Sequence, residues 1–222
     1  MAGKTAILLG GTGETGKEVL RCLVETSVYG KIISVARRMV DLPKDNEWDR
    51  VEQRVVDFEK IQDFSNSFSG ADVAFCCLGT TRGRSGAEGF VKVDHDYVVG
   101  AAKLLKDNRC PEFHLLTSKG SNVNSWFLYP STKGKVEEAV KEMKFASLSI
   151  YRPGLLKCDR QESRLGEKFF RWLADLTDKN NSWSVSTSLV AKSMVVNSLK
   201  PSNSGVEVLD HCDILKITNK DL

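Results

Sequence analysis

The stretch Thr5-Ala-Ile-Leu-Leu-Gly10-Gly-Thr-Gly13-Glu-Thr-Gly16-Lys-Glu-Val-Leu20 reads, in order, as a strand, a glycine turn and the start of a helix. That order decides the fold class. A helix N-terminus presents unpaired N–H groups and partial positive charge, so a pyrophosphate can settle there when the backbone comes close. Side chains at Gly10, Gly13 and Gly16 would obstruct that approach. The spacing is G-x-x-G-x-x-G rather than G-x-G-x-x-G, and its place at the first strand-to-helix turn is what gives it weight. A Walker-type loop is excluded, because no Gly-Lys-Ser or Gly-Lys-Thr follows at its spacing. The remaining alternative is a tight glycine turn that packs a helix on a strand without a ligand.

Apolar, β-branched runs recur outward from this loop at 5–10, 31–36, 54–58, 73–79, 113–118 and 148–152. They mostly do not alternate, as expected of strands covered on both faces. Helix-period segments at 16–25, 61–68, 93–107 and 131–143 separate them. Strands alternating with helices predict a doubly wound parallel α/β sheet, order 3-2-1-4-5-6, with a seventh strand at 206–209 and helices on both faces. After Arg152 the rhythm changes. A turn-rich segment leads to an amphipathic helix at 167–176 carrying Phe169, Phe170 and Trp172, then a helix at 187–199. These aromatics and Trp183 either line a substrate pocket or pack a core. The expectation is one NAD(P)-binding Rossmann domain over 1–222, with 153–222 forming a substrate-side lid.

Composition removes other classes. Against 32 basic stand 29 acidic residues, a net charge of +3 that is too small and dispersed for a nucleic-acid surface. The longest apolar runs fall far short of the roughly 20 residues that span a bilayer. The first strand begins at Thr5, without a signal or transit pattern, so the chain is expected to be cytosolic. The cysteines include the adjacent pair Cys76-Cys77 and no C-x-x-C, and are read as reduced thiols. The histidines are scattered, and no metal site is expected.

Further residues point to a cofactor and a reaction. Arg37-Arg38 stands at the end of the second strand, where NAD-specific folds place an acid; an arginine can pair there with a 2′-phosphate, so the cofactor is expected to be NADPH. Asp57, at the end of the third strand, could accept from an adenine amino group, with the Phe58 ring beside the base. Leu78-Gly79 ends the fourth strand where the chain would pass the cofactor ribose. In Tyr129-Pro-Ser-Thr-Lys133, Pro130 fits a first helical turn and puts Tyr129 and Lys133 on one face. A carbonyl that receives hydride must gain a proton, which a tyrosine gives more readily when a nearby ammonium pulls its pKa below about 10. The Ser118 hydroxyl could orient that carbonyl. Residues 82–86 are expected to form a flexible basic flap over cofactor phosphate, or a partner contact.

Together these residues resemble the short-chain dehydrogenase/reductase superfamily. The stretches Leu9-Gly-Gly-Thr-Gly-Glu-Thr-Gly16, Val56-Asp-Phe-Glu-Lys60, Phe75-Cys-Cys-Leu-Gly-Thr-Thr-Arg-Gly83, Ala87-Glu-Gly-Phe90, Ser118-Lys-Gly120, Arg152-Pro-Gly154 and Cys158-Asp-Arg-Gln-Glu-Ser-Arg164 resemble the HIV Tat-interacting-protein-type oxidoreductases over essentially the whole chain. The resemblance implies NADPH contacts at Thr12, Gly13, Glu14 and Thr15 within the Gly10–Gly16 loop, at Arg37 and Arg38, and at Leu78 and Gly79. Tyr129 and Lys133 would complete the nicotinamide ribose site, with Leu156 and Arg164 closing over the cofactor. It also implies a growth-suppressing, pro-apoptotic role, protein partners in nuclear transport or transcription, and the nucleus or its envelope as a second compartment. The expected activity is reduction of a small-molecule carbonyl by Tyr129, Lys133 and Ser118. The alternative is an NADPH-responsive regulatory protein that works through partners without turnover.

Overall fold

The computed structural model describes residues 3–157, 183–200 and 204–220. In chain order the elements are β1 (Lys4–Leu9), α1 (Glu14–Glu25), β2 (Tyr29–Ala36), β3 (Val51–Val55), 3-10 turns over Phe58–Phe68, β4 (Val73–Cys76), α2 (Arg82–Val91), a π-helical turn at Lys92–Asp96 and α3 (Tyr97–Asp107). There follow β5 (Glu112–Leu116), α4 (Leu128–Glu142), β6 (Ser147–Arg152), β7 (Leu155–Lys157), β8 (Ser184–Ser186), α5 (Thr187–Ser198), β9 (Gly205–Asp210) and α6 (His211–Lys220). Seven strands form one sheet in the order β3-β2-β1-β4-β5-β6-β9, and every pairing is parallel. This is the Rossmann-like arrangement expected from the sequence. β7 and β8 pair separately.

The strands read as unbroken apolar runs because each face of the sheet is roofed. Ile7, Leu9, Ile33, Val35, Ala74 and Leu115 face a core shared with Val98, Ala102 and Leu105 of α3 and Val136 and Val140 of α4. Ala6, Leu8, Ile32, Phe75 and Tyr151 face the other, shared with Val19, Leu20 and Leu23 of α1, Val190 and Met194 of α5 and Ile214 of α6.

Among the boundaries that differ from the sequence reading, three bear on the site. β3 occupies 51–55 rather than 54–58. As an edge strand it carries charge, with Glu52 bridging Lys31 at 2.6 Å and Arg54 at 2.6 Å, and so lacked the apolar signature. Asp57 therefore does not end a strand: it caps the 3-10 segment, its carboxylate accepting from the Glu59 N–H at 2.9 Å. Residues 82–86, expected as a flexible flap, are the first turns of α2, where the Arg84 and Ser85 amides donate to the Thr81 carbonyl at 2.9 and 3.2 Å. Glycine lowers helix propensity, but here it serves a kink, since Gly86 has φ +71°. α4 begins at Leu128, three residues before the expected start, which places Pro130 in the first turn, where no amide partner is needed. The expected helix at 167–176 and the motif 158–164 lie outside the described residues.

One buried network holds α4 against the carboxyl ends of β5 and β6. Glu137, 1% exposed, accepts from the Thr117 hydroxyl at 2.7 Å and takes the Arg152 guanidinium on both oxygens, Nε at 3.1 and 3.2 Å and Nη2 at 2.5 Å. A forked pair of this kind is stabilising only while both members are present. We expect Arg152→Met to lower the unfolding free energy by about 3 kcal/mol by stranding the Glu137 charge. Glu137→Gln in the same chain should recover most of that loss in urea titrations; a single variant as stable as the parent would show that the network carries no weight.

Candidate functional site

The first turn of the fold is shaped by three glycines that do different things. Gly10 has φ +87°, and a Cβ on it would stand 2.7 Å from the Cys77 carbonyl carbon at the end of β4. A Cβ on Gly16 would stand 2.1 Å from the Gly10 carbonyl oxygen, so α1 can lie this close to the loop only with glycine there. Gly13 differs: its Cβ would meet nothing nearer than the Gly10 carbonyl oxygen at 3.4 Å, an ordinary contact. Its amide donates to that oxygen at 3.0 Å, and it lines a cavity of about 630 Å³. Packing within the chain thus explains Gly10 and Gly16, whereas Gly13 keeps open space at the helix N-terminus, where a pyrophosphate fits.

The cavity lies along the carboxyl ends of β1, β2 and β4. Thr12 joins the two glycines on its loop side, Arg37 and Arg38 line it beyond β2, and Leu78 and Gly79 line it beyond β4. Glu14, Thr15 and Gly16 follow the lining residues into α1; Thr15 is buried, and Glu14 approaches Lys17 at 3.9 Å. Asp57 is not among the lining residues, but Phe58 beside it is, and its ring packs on Tyr97 with centroids 5.2 Å apart.

Tyr97, Arg84 and Ser85 also line the cavity. Tyr97 escaped the sequence reading because it sat in an apolar helical segment and looked like core. Its hydroxyl donates to Glu59, which Lys92 holds at 2.6 Å. Burial, reinforced by that hydrogen bond, pushes the Tyr97 phenol up to about 12, so it stays a donor. Lys92 and the Tyr97 hydroxyl hold the Glu59 carboxyl below its ordinary range.

Beyond β4 the cavity edge is tied to α4. The Lys133 ammonium lies 2.7 Å from Asp94 Oδ1, both side chains buried, while Asp94 Oδ2 accepts from the Thr80 amide at 2.7 Å. Gly79 is pressed against this pair, since a Cβ on it would stand 3.2 Å from Asp94 Oδ1 and 3.9 Å from Lys133 Nζ. Asp94 was missed by the sequence reading. It lies on the π-helical turn, an irregularity that apolar periodicity does not report and that often accompanies function. Tyr129, one turn before Lys133, is 49% exposed and stacks on buried Phe90 at 5.4 Å. Ser118 follows β5, and its hydroxyl oxygen is buried without a hydrogen-bond partner among the described residues. Leu156 lies on β7, is partly buried against the α1 side of the sheet and does not line the cavity; Arg164 lies outside the described residues.

A loop with open space at a helix N-terminus and arginines beyond β2 line one cavity, and a buried lysine lies beside its Gly79. The chain belongs to the NAD(P)H-binding family, whose match covers residues 10–196. It is 42% identical to Protein HTATIP2 of Rattus norvegicus over 221 residues, 98% of this chain and 90% of that one. It is also 32% identical over 211 residues to Protein fmp52, mitochondrial, of Aspergillus niger, covering 91% and 87% of the two chains. Among solved structures it is similar in fold to a short-chain dehydrogenase family protein from Francisella tularensis, with TM-score 0.67, 14% identity, and 96% and 100% of the chains covered. MoeE5 in complex with UDP-glucose and NAD gives TM-score 0.70 at 10% identity over 97% of this chain and 81% of that one.

The two kinds of glycine can be told apart by experiment. Gly13→Ala should leave stability within about 1 kcal/mol of the parent while weakening dinucleotide binding about tenfold or more. Gly16→Ala should cost about 3 kcal/mol of stability by forcing backbone apart. Calorimetric titration beside thermal unfolding checks both, and unchanged affinity in Gly13→Ala would remove the pyrophosphate from this turn.

Proposed function

We propose that the protein is an NADPH-dependent oxidoreductase that reduces the carbonyl group of a small molecule. The observation that carries the reading is the burial of Lys133 against Asp94 beside Gly79, because it fixes the helix bearing Tyr129 to the rim of the dinucleotide cavity. The choice of NADPH rests on Arg37 and Arg38, which line the cavity where a carboxylate would repel a 2′-phosphate and a guanidinium can fork onto it. Phe58 and Tyr97 offer the adenine an aromatic border, and the Asp57 carboxylate lies next to it in the chain.

When bound, NADPH supplies the hydride, with its two electrons, to the carbonyl carbon. The Tyr129 hydroxyl gives its proton to the carbonyl oxygen as that oxygen gains charge. The Lys133 ammonium can hold the ribose hydroxyls, while Asp94 fixes where that ammonium sits. The unpartnered Ser118 hydroxyl donates to the same carbonyl oxygen and orients it. Arg164 and the backbone at Leu156, whose side chain packs away from the cavity, belong to this proposal as groups that close over the cofactor.

A second reading, an NADPH-responsive protein acting through partners in nuclear transport or transcription, is favoured by α2. Its Arg84 and Ser85 line the cavity while Gly86 kinks the helix, so a bound nucleotide could reset an exposed surface. The five cysteines among the described residues are free thiols, which supports a reducing compartment such as the cytosol. No helix among the described residues is long and apolar enough to cross a membrane.

Tyr129→Phe separates the readings. We expect kcat to fall by about 10²- to 10⁴-fold with NADPH affinity unchanged, measured as NADPH oxidation over a panel of aldehydes and ketones. A parent protein that binds NADPH and turns over no member of a broad panel would favour the second reading.

A further inference from the structure

The loop that joins Ser118 to Tyr129 combines a lack of charge with exposed apolar side chains. Charged residues make up 27% of the chain, yet from Gly120 through Thr132 there is no Asp, Glu, Lys, Arg or His. Within that stretch Trp126 is 100% exposed, Phe127 77% and Val123 41%. Large apolar side chains held in water next to a polar catalytic group call for an occupant.

Their exposure does not come from a slack backbone. The Asn122 amide donates to the Pro130 carbonyl at 2.9 Å, the Ser125 amide to the Asn122 carbonyl at 3.0 Å, and the Ser131 amide to the Phe127 carbonyl at 3.1 Å. Gly134 of α4 lies against the loop so closely that a Cβ would stand 2.2 Å from the Val123 nitrogen. The loop start is fastened to the neighbouring strand exit by the Lys119 amide donating to the Pro153 carbonyl at 2.8 Å. The chain is therefore built to hold Trp126 and Phe127 outward, at the end that also presents Tyr129.

We propose that this loop is the platform for the body of the substrate, and that the substrate is a neutral carbonyl compound with an aryl or extended alkyl group. The proposal rests on the reductase reading and supplies its substrate class. In that reading Ser118 and Tyr129, at the two ends of the loop, both serve the reacting oxygen, so the group attached to the carbonyl would lie along the loop between them. Trp126 and Phe127 offer bare apolar surface there, and among the described residues the edge offers few cations to an anion. Lys133 is taken by Asp94 and Arg152 by Glu137, leaving Lys119 as the one charged residue between Ser118 and Tyr129. The reaction balances: the hydride of NADPH goes to the carbonyl carbon and the Tyr129 proton to the oxygen, giving an alcohol and NADP⁺, and solvent reprotonates the tyrosine.

The test compares kcat/KM of the whole protein with NADPH for propanal, hexanal, decanal, benzaldehyde and 4-carboxybenzaldehyde, in the parent and in Trp126→Ala. We expect at least a tenfold rise from propanal to hexanal, in keeping with burial of added methylenes, and benzaldehyde preferred over its carboxylate at least tenfold. Trp126→Ala should flatten the chain-length dependence while NADPH affinity, which reports the folded cofactor site, stays at the parent value. A parent rate independent of chain length, a preference for the carboxylate, or an undiminished slope in Trp126→Ala would overturn the proposal. A second readout needs no turnover: calorimetric titration of the NADP⁺ complex with decanol should show saturable binding in the parent, weakened at least tenfold in Trp126→Ala. Saturable binding without turnover of any aldehyde would keep the apolar platform and sink the reductase reading, whereas no saturable binding would sink the platform. Sedimentation with neutral vesicles, or a dimer in solution, abolished by Trp126→Ala, would give the patch a different occupant and also overturn it.

Discussion

The contact on which the rest of the site depends is the buried pair Lys133–Asp94. Removing two charges from water is expensive, and the pair is tolerable because each Asp94 oxygen is used, one by the ammonium and one by the Thr80 amide. The pair therefore does more than neutralise: it fixes the separation between the end of β4 and α4. Four residues further along α4, Glu137 repeats the device towards β5 and β6, with Thr117 and Arg152 as partners. Tyr129, Lys133 and Glu137 lie at successive turns of one helix, so two buried clamps set the position of the one half-exposed residue proposed to transfer the proton. Precision of this kind is what proton transfer requires, since the donor must come within hydrogen-bond reach of the reacting oxygen.

The glycine loop supplies the other half of the geometry. Gly10 and Gly16 let the loop, the start of α1 and the end of β4 collapse onto one another, and Gly13 leaves room in front of the helix N-terminus. The same motif thus contains residues required by the packing of the fold and one, Gly13, that packing leaves free. The arginines beyond β2 then give that space its charge, and Phe58 with Tyr97 gives it an aromatic border.

Much of this was legible in the sequence. The strand–glycine–helix order and the unbroken apolar runs gave the parallel sheet and its strand order, because burial on both faces leaves a strong compositional mark. Where burial is one-sided the mark fades, and β3, an edge strand with Glu52 and Arg54, was read three residues late. The segment 82–86 was read as a flap because glycine and charge are what exposed functional loops contain, although one kink at Gly86 is enough to accommodate the glycines in a helix. Arg37, Arg38, Leu78 and Gly79 were found from their places at strand ends, and the structure brings them to one cavity. Asp94, Glu137 and Arg152 were not found, since a buried ion pair is a relation between distant positions and each member alone looks like a solvated charge. Tyr97 was hidden for the converse reason, as an aromatic that resembled core.

The most direct test is a paired titration of the protein's intrinsic tryptophan fluorescence with NADPH and with NADH. A cavity built around Arg37 and Arg38 should bind NADPH at least about tenfold more tightly, a difference of roughly 1.4 kcal/mol. Equal affinities would contradict the role given to the two arginines, and binding of neither nucleotide would contradict the account as a whole.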